Sequence, residues 1–151
     1  MKKYQIINFH HLLSQIDLQK VDKESRTKLI NLDILLGDIV ESHNAEINKV
    51  KARLSKGHDE EIRQVSELVA QLQRAKSDEE RDHIRQEIEK HTAYGEIQGQ
   101  LNEEVNKRMM EDVEVEFDKV SAEDLAQWCA DSGTSITLNL LREFRRAGFT
   151  Y

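Results

Sequence analysis

Histidine and glutamate side chains at helical spacing are the first residues of this chain that could do chemistry. His83 and Glu87 stand four residues apart, as do Glu87 and His91, so on a helix each pair shares one face. A histidine–carboxylate pair with that geometry can hold a metal ion. Such pairs also arise readily in a segment this rich in glutamate, and no further ligand is fixed by the sequence. We therefore predict no metal and no other cofactor.

Two other histidine positions also argue against a shared site. His10 and His11 are adjacent, so on a helix their side chains point about 100° apart. His43 lies on an apolar seam and is expected to be a core or interface histidine with a hydrogen-bonded ring.

No catalytic residue is predicted. The single cysteine, Cys129, follows Trp128 and has no indicated base nearby, so a buried small side chain is the expected role. The carboxylates at 59–61 open a helix, where they complement its dipole. The sequence has no Gly-rich phosphate loop, GxSxG or HExxH motif. We predict a protein that is not an enzyme and that has no small-molecule substrate.

Composition indicates an elongated helical protein. The chain has 151 residues, enough for one domain with a real core but not for two independent ones. Charged residues make up 34%, above the roughly 25% that is typical of soluble domains. Because there is no proline and only six glycines, little interrupts long helices. This balance favours helical hairpins over a compact enzyme.

Charge and hydropathy restrict the partners. The net charge of −7 argues against direct binding to nucleic acid, which needs clustered lysine and arginine. Arg142, Arg145 and Arg146 are a local exception, explained more simply by a helix dipole and by solubility. No apolar run approaches a membrane span and no signal peptide is visible, so a reducing cytoplasmic setting and no membrane partner are expected.

The central sections predict a helical hairpin. After Asp22, a good N-cap, apolar residues spaced by threes and fours continue for seven turns, with a stop at Gly57. This seam comprises Leu29, Leu32, Leu36, Ile39, His43, Ile47, Val50 and Leu54. A charged section follows at 59–90, with a capping box at 77–80 where the helix restarts or kinks. We expect Leu36, Ile39 and Val50 to pack on Val65, Val69 and Leu72 of that section in an antiparallel arrangement.

The hydrophobic period changes from helical to alternating between residues 101 and 120. Leu101, Val105, Met109 and Met110 follow a helical spacing, whereas residues 113–117 alternate between apolar and acidic. The alternation predicts a strand with its apolar residues facing the core. A lone strand of this length needs a partner. The partner is either residues 4–7, just before a short helix from near Asn8, or a strand of another chain.

The predicted fold is mainly α, with a long antiparallel helical hairpin, or coiled-coil-like arm, and a small α+β base containing a short strand pair. We expect a single domain over 1–151, with the base at 1–28 and 93–151 and the arm at 29–92. Two short helices end the chain. Ser121 caps the first, and Gly148 ends the second.

Residues 101–125 carry a family resemblance. The run LNEEVNKRMMEDVEVEFDKVSAEDL resembles a recurring element of small helical proteins from tailed bacteriophages and prophages. In that element a helix leads directly into Val-Glu-Val-Glu or a close variant, and a Ser-x-x-Asp-Leu-like turn follows. The positions that match are Leu101, Asn102, Glu104, Val105, Met109, Met110, Val113, Glu114, Val115 and Glu116. Because that family has no assigned catalytic residues, none is carried over to this chain.

The resemblance implies a virion-assembly, tail-associated or early accessory role. The leading expectation is a phage or prophage structural or assembly protein, virion- or tail-associated, in the host cytoplasm or in the virion. The expected partners are proteins, by self-association or within a phage assembly, through helix-mediated contacts at residues the sequence does not specify. The alternative is an acidic accessory protein that binds and inhibits a host or defence factor. A nucleic-acid mimic would concentrate carboxylates on one face, whereas a structural arm would pair opposite charges along its helices, as Arg63 and Glu67 do at i, i+4.

Overall fold

A computed structural model describes all residues, 1–151, and is mainly helical. Its seven α-helices are α1 (Lys3–Leu13), α2 (Lys23–Ser55), α3 (Asp59–Arg74), α4 (Asp78–Glu89), α5 (Thr92–Met109), α6 (Ala122–Asp131) and α7 (Leu138–Ala147). A short 3-10 helix, Leu18–Lys20, lies between α1 and α2. Extended backbone pairs only at two isolated bridges, Lys2 with Asp112 and Val120 with Thr150.

The chain forms two compact units, and α2 contributes residues to both. The first unit comprises Met1–Asn44 and Lys107–Tyr151, and the second comprises Ala45–Asn106. The predicted base and arm had their boundaries at 28 and 93, so the division falls further along the chain. The reason is that Leu29, Leu32 and Leu36 of α2 are buried in the core of the first unit.

The core of the first unit contains all four phenylalanines of the chain. The rings of Phe9 and Phe149 stack with centroids 4.2 Å apart, and Phe144 meets Phe9 edge-on at 4.7 Å. Phe117 stacks on Phe149 at 5.4 Å. Aromatic rings bury large apolar areas, so this cluster joins α1, α7 and the extended segment 113–119.

The predicted pairing of residues 4–7 with a strand at 113–117 is wrong. Residues 4–7 lie within α1, which begins five residues before the predicted start at Asn8. The amide of Val113 instead donates to the carbonyl of Met1 at 2.8 Å, and the amide of Lys3 donates to that of Glu111 at 2.9 Å. Helix formation there buries Ile6 and Phe9 on one face, and a four-residue strand at 4–7 could not match that burial.

The alternation within 113–117 is nevertheless confirmed as a burial pattern. Val113, Val115 and Phe117 are half-buried and pack against the core, whereas Glu114 and Glu116 are exposed. The backbone is extended but forms no strand over these residues. A period of two therefore reports which side chains face the core, and it does not require a hydrogen-bonded ladder.

Three helix starts agree with the capping signals in the sequence. The Asp22 carboxylate accepts from the amide of Ser25 at 2.9 Å, and this bond is the main cause of the lowered pKa of Asp22. The helix predicted to restart or kink at Ser77 restarts there, and the Ser77 hydroxyl accepts from the amide of Glu80. The hydroxyl of Ser121 caps α6 in the same way. Capping residues can be recognised from sequence because their hydrogen bonds are local.

The predicted seam does not act as one surface. Leu36 is fully buried and Ile39 packs beside it in the core of the first unit, so these residues do not pack on Val65, Val69 and Leu72 as predicted. Within the second unit α3 and α4 are the helices that contact each other most extensively. Val65 and Ile84 are buried in these helices, while Val69 is exposed. Helical period identifies a buried face without identifying what covers it.

We expect Gly148→Ala to lower the free energy of unfolding by about 1–2 kcal/mol, because Gly148 ends α7 with φ of +91°, where a Cβ is strained. The matched control is Gly99→Ala in α5, where no atom lies within 4 Å of the new Cβ. That change should raise stability by up to about 1 kcal/mol, since alanine is the better helix former. Urea denaturation followed by circular dichroism measures both changes. Equal effects of the two substitutions would contradict the prediction.

Candidate functional site

The two adjacent histidines of α1 have different partners. Nε2 of His10 lies 3.4 Å from Oδ1 of Asp33 on α2, whereas Nε2 of His11 lies 2.9 Å from the side-chain nitrogen of Gln15. The divergence expected for neighbouring helical positions is confirmed. His10 also lies against Gly37, where an added Cβ would be 3.3 Å from Nε2. The glycine therefore lets α1 and α2 approach closely.

Two members of the histidine–glutamate series, Glu87 of α4 and His91 just after that helix, contact other side chains. Nζ of Lys90 donates to the Glu87 carboxylate, and this bond is the main reason that the pKa of Glu87 lies below its usual value. Nδ1 of His91 lies 3.4 Å from Oε1 of Glu61 on α3. No group of three or more histidine, cysteine, aspartate or glutamate side chains in the structure could hold a metal ion.

Two buried titratable side chains, Cys129 and His43, lie in the first unit. Cys129 is fully buried, as predicted, and burial raises the pKa of its thiol. A raised pKa disfavours the thiolate that a nucleophile requires. His43 is also buried, in agreement with its place on the seam. The hydrogen bond from Nζ of Lys3 is the largest cause of the lowered pKa of the Glu111 carboxyl, and the charge of Arg108 adds to it.

A polar cleft of about 460 Å³ lies between α2 and the extended segment that follows Val115. Its charged lining residues are Lys28, Glu116 and Asp118, and its walls are completed by Leu32 and Phe117. Lys28 is already paired with Glu24 on the same helix, at 3.3 Å. The cleft thus presents one paired cation and two carboxylates, without a nucleophile and base in contact.

An apolar groove of about 330 Å³ lies on the other side of α2, between that helix and the chain that follows α1. We call it the α2 groove. Its walls are Leu13, Ser14, Ile16, Leu18, Leu29, Ile30, Asp33 and Ile34. Ile34 is 59% exposed and Ile30 39%, and Leu18 is also exposed. Exposed branched side chains beside a groove are typical of a surface that binds protein. The α2 groove is therefore the candidate functional site of this chain.

Sequence reasoning missed this surface, although a signal for it was present. Six of the eight residues 29–36 are leucine or isoleucine, more than one buried stripe requires. Leu29, Leu32 and Leu36 meet the core, which leaves Ile30 and Ile34 on a second face. The excess of apolar residues could have indicated two contact surfaces on α2.

Comparisons with known proteins do not place the chain in a family: no family model, curated protein or solved structure matches it. None of its helices combines the length and the apolar character needed to cross a membrane. The fold and site define a mainly helical protein with an apolar groove on its longest helix.

Proposed function

We propose that this chain is a non-enzymatic structural or assembly protein that works through helix-mediated contacts with other proteins. The observation that carries the proposal is the exposed apolar surface of α2, where Ile30 and Ile34 border the α2 groove. Isolated exposed leucines are ordinary on a protein surface. Exposure of a contiguous group of apolar side chains beside a groove is unfavourable in water, and binding of a partner removes that exposure.

The charge pattern of the second unit favours an arm over a nucleic-acid mimic. Basic side chains of α3 and α4 pair with acidic ones on the same helix, three or four residues away. Arg63, for example, contacts both Glu60 and Glu67. These carboxylates are partly neutralised by their neighbours, whereas a mimic would leave them clustered and unpaired. We propose that residues 45–106 act as a solvated arm whose helical-hairpin character supports assembly.

The phage or prophage context rests on the resemblance of residues 101–125 to the helix and Val-Glu-Val-Glu element. The test is a deletion of the gene in a host that carries the phage, complemented by the wild-type chain. We expect early replication to continue while assembled particles fall at least tenfold. Purification of particles on a density gradient would show whether the chain stays with the virion.

The accessory-inhibitor alternative predicts the opposite outcome. A deletion that leaves particle assembly intact but lowers the phage yield only in hosts with a defence system would overturn the assembly role. The net charge of −7 is the feature that supports this alternative. Complementation by the wild-type chain controls for effects of the deletion on neighbouring genes.

A further inference from the structure

We propose that the exposed face of α2 binds a second copy of this chain, with the two α2 helices antiparallel and Ile30 of each copy against Ile34 of the other. The inference rests on the proposed function, because it names one partner and one surface for the helix-mediated contact. The surface lies wholly within the first unit, at residues 23–41.

Four exposed side chains of α2 form a stripe that is symmetric about position 32. Lys23, Ile30, Ile34 and Glu41 all fall within about 40° on a helical projection and all are exposed. Ile30 and Ile34 lie two residues either side of position 32, and Lys23 and Glu41 lie nine residues either side. A two-fold axis through this point therefore places each isoleucine against the other isoleucine, and each lysine against a glutamate.

Charge complementarity selects the second copy and its direction. The stripe is basic at Lys23, at the N-terminal end of α2, and acidic at Glu41. An antiparallel pair brings Lys23 of each copy beside Glu41 of the other, whereas a parallel pair would oppose like charges. Neither Lys23 nor Glu41 is in an ion pair within its own chain. Exposed ion pairs add little affinity but exclude the wrong orientation.

The α2 groove supplies the apolar part of the contact. Ile34 is the most exposed of its hydrophobic lining side chains, and in the antiparallel register it meets Ile30 and the groove of the second copy. By symmetry the two grooves are filled in one step, so both sets of exposed isoleucines leave water together. The second copy therefore covers the apolar face of α2 with the same face of its own α2, and no other partner is needed.

The dimer is expected to be weak and to be in equilibrium with the monomer. Residues 23–41 span about 27 Å of helix. One helix pair of that length buries a surface area at the low end of the range for specific interfaces, which begins near roughly 1,200 Å² in total. The equilibrium should therefore be visible as a rise in mass with concentration.

Sedimentation equilibrium of the full chain over a wide concentration range is the first measurement. We expect the mean mass to rise from 17.6 kDa towards twice that value. Ile34→Glu should weaken dimerisation at least tenfold, because it would bury a carboxylate in the apolar groove of the other copy. The matched control is Leu138→Glu on α7, where the leucine is 72% exposed and outside the stripe, and it should leave the equilibrium unchanged.

Charge exchange tests the antiparallel register independently of apolar burial. Lys23→Glu or Glu41→Lys alone should weaken the homodimer several-fold, because each opposes like charges. Mixing these two variants should restore a heterodimer, since each lysine again meets a glutamate. The double variant Lys23→Glu/Glu41→Lys should dimerise as the wild type does. Low-salt buffer enlarges all of these differences.

A wild-type chain that stays at 17.6 kDa at every concentration would overturn the inference. So would a dimer that Ile34→Glu leaves intact, or single charge variants that do not recover on mixing. Circular dichroism of each variant, with a helical signal equal to that of the wild type, ensures that a lost dimer is not a lost fold. A monomeric chain that still supports particle assembly would refute self-association alone, whereas normal assembly without the gene would refute the proposed function.

Discussion

Phe149→Ala is expected to lower the free energy of unfolding by about 3–5 kcal/mol, the largest effect of any single substitution that we predict. Phe149 is fully buried and its ring contacts those of Phe9, Phe117 and Phe144. Truncation would leave a cavity among three rings held by α1, α7 and the extended segment, and close packing allows only partial relaxation around it.

The fluorescence of Trp128 is the appropriate probe for this change. Trp128 is the only tryptophan of the chain and lies in the same core as Phe149, so its signal reports the unfolding of the first unit. The control is Leu138→Ala on α7, which removes a 72%-exposed side chain and should change stability by less than about 0.5 kcal/mol. A Phe149→Ala chain with the urea midpoint of the wild type would show that the aromatic cluster does not stabilise the unit.

Leu36→Ala should destabilise the first unit by about 2–5 kcal/mol, because Leu36 is fully buried in its core. Ile34→Ala, two residues away on the same helix, is the matched control. It should cost less than about 1 kcal/mol when measured in dilute solution, where any self-association is minimal, because Ile34 is mostly exposed in one chain. The same comparison also tests which face of α2 is structural.

Trp128 fluorescence distinguishes this result from the hairpin that the sequence suggested. If Leu36 packs in the first unit, its truncation must shift the unfolding transition that Trp128 reports. An unchanged fluorescence transition, with loss of helical signal elsewhere, would place Leu36 against the arm instead. The prediction would then fail together with the assignment of 1–44 to the first unit.

Local features of the fold were predictable because their physical causes lie within a few residues. Hydrogen bonds within a turn fix the helix starts after Asp22, Ser77 and Ser121, and a positive φ at Gly148 ends α7. The alternation at 113–117 likewise predicted which side chains are half-buried. Each of these signals depends only on neighbouring residues, so it can be recognised without knowledge of the tertiary partner.

Pairings across the chain were predicted less well. The backbone at 1–3 pairs only with residues 111–113, and residues 4–7 belong to α1. No local signal ranks helix burial against strand pairing at 4–7. Phe149 carries no periodic signal, since it lies beyond the last helix, yet it is central to the core. The second apolar face of α2 was not predicted, because the seam beside it has the stronger helical periodicity.

The sequence by itself determined a mainly helical chain, the capped helix ends and the sides of each element that are apolar, because propensity, capping and periodicity are local. Only the tertiary structure decided that Leu36 and Ile39 belong to one core while Ile30 and Ile34 remain exposed. Apolar residues on a helix are equivalent until neighbouring elements cover some of them. Which of them are covered depends on contacts between residues far apart in the chain, and these contacts left the α2 groove open.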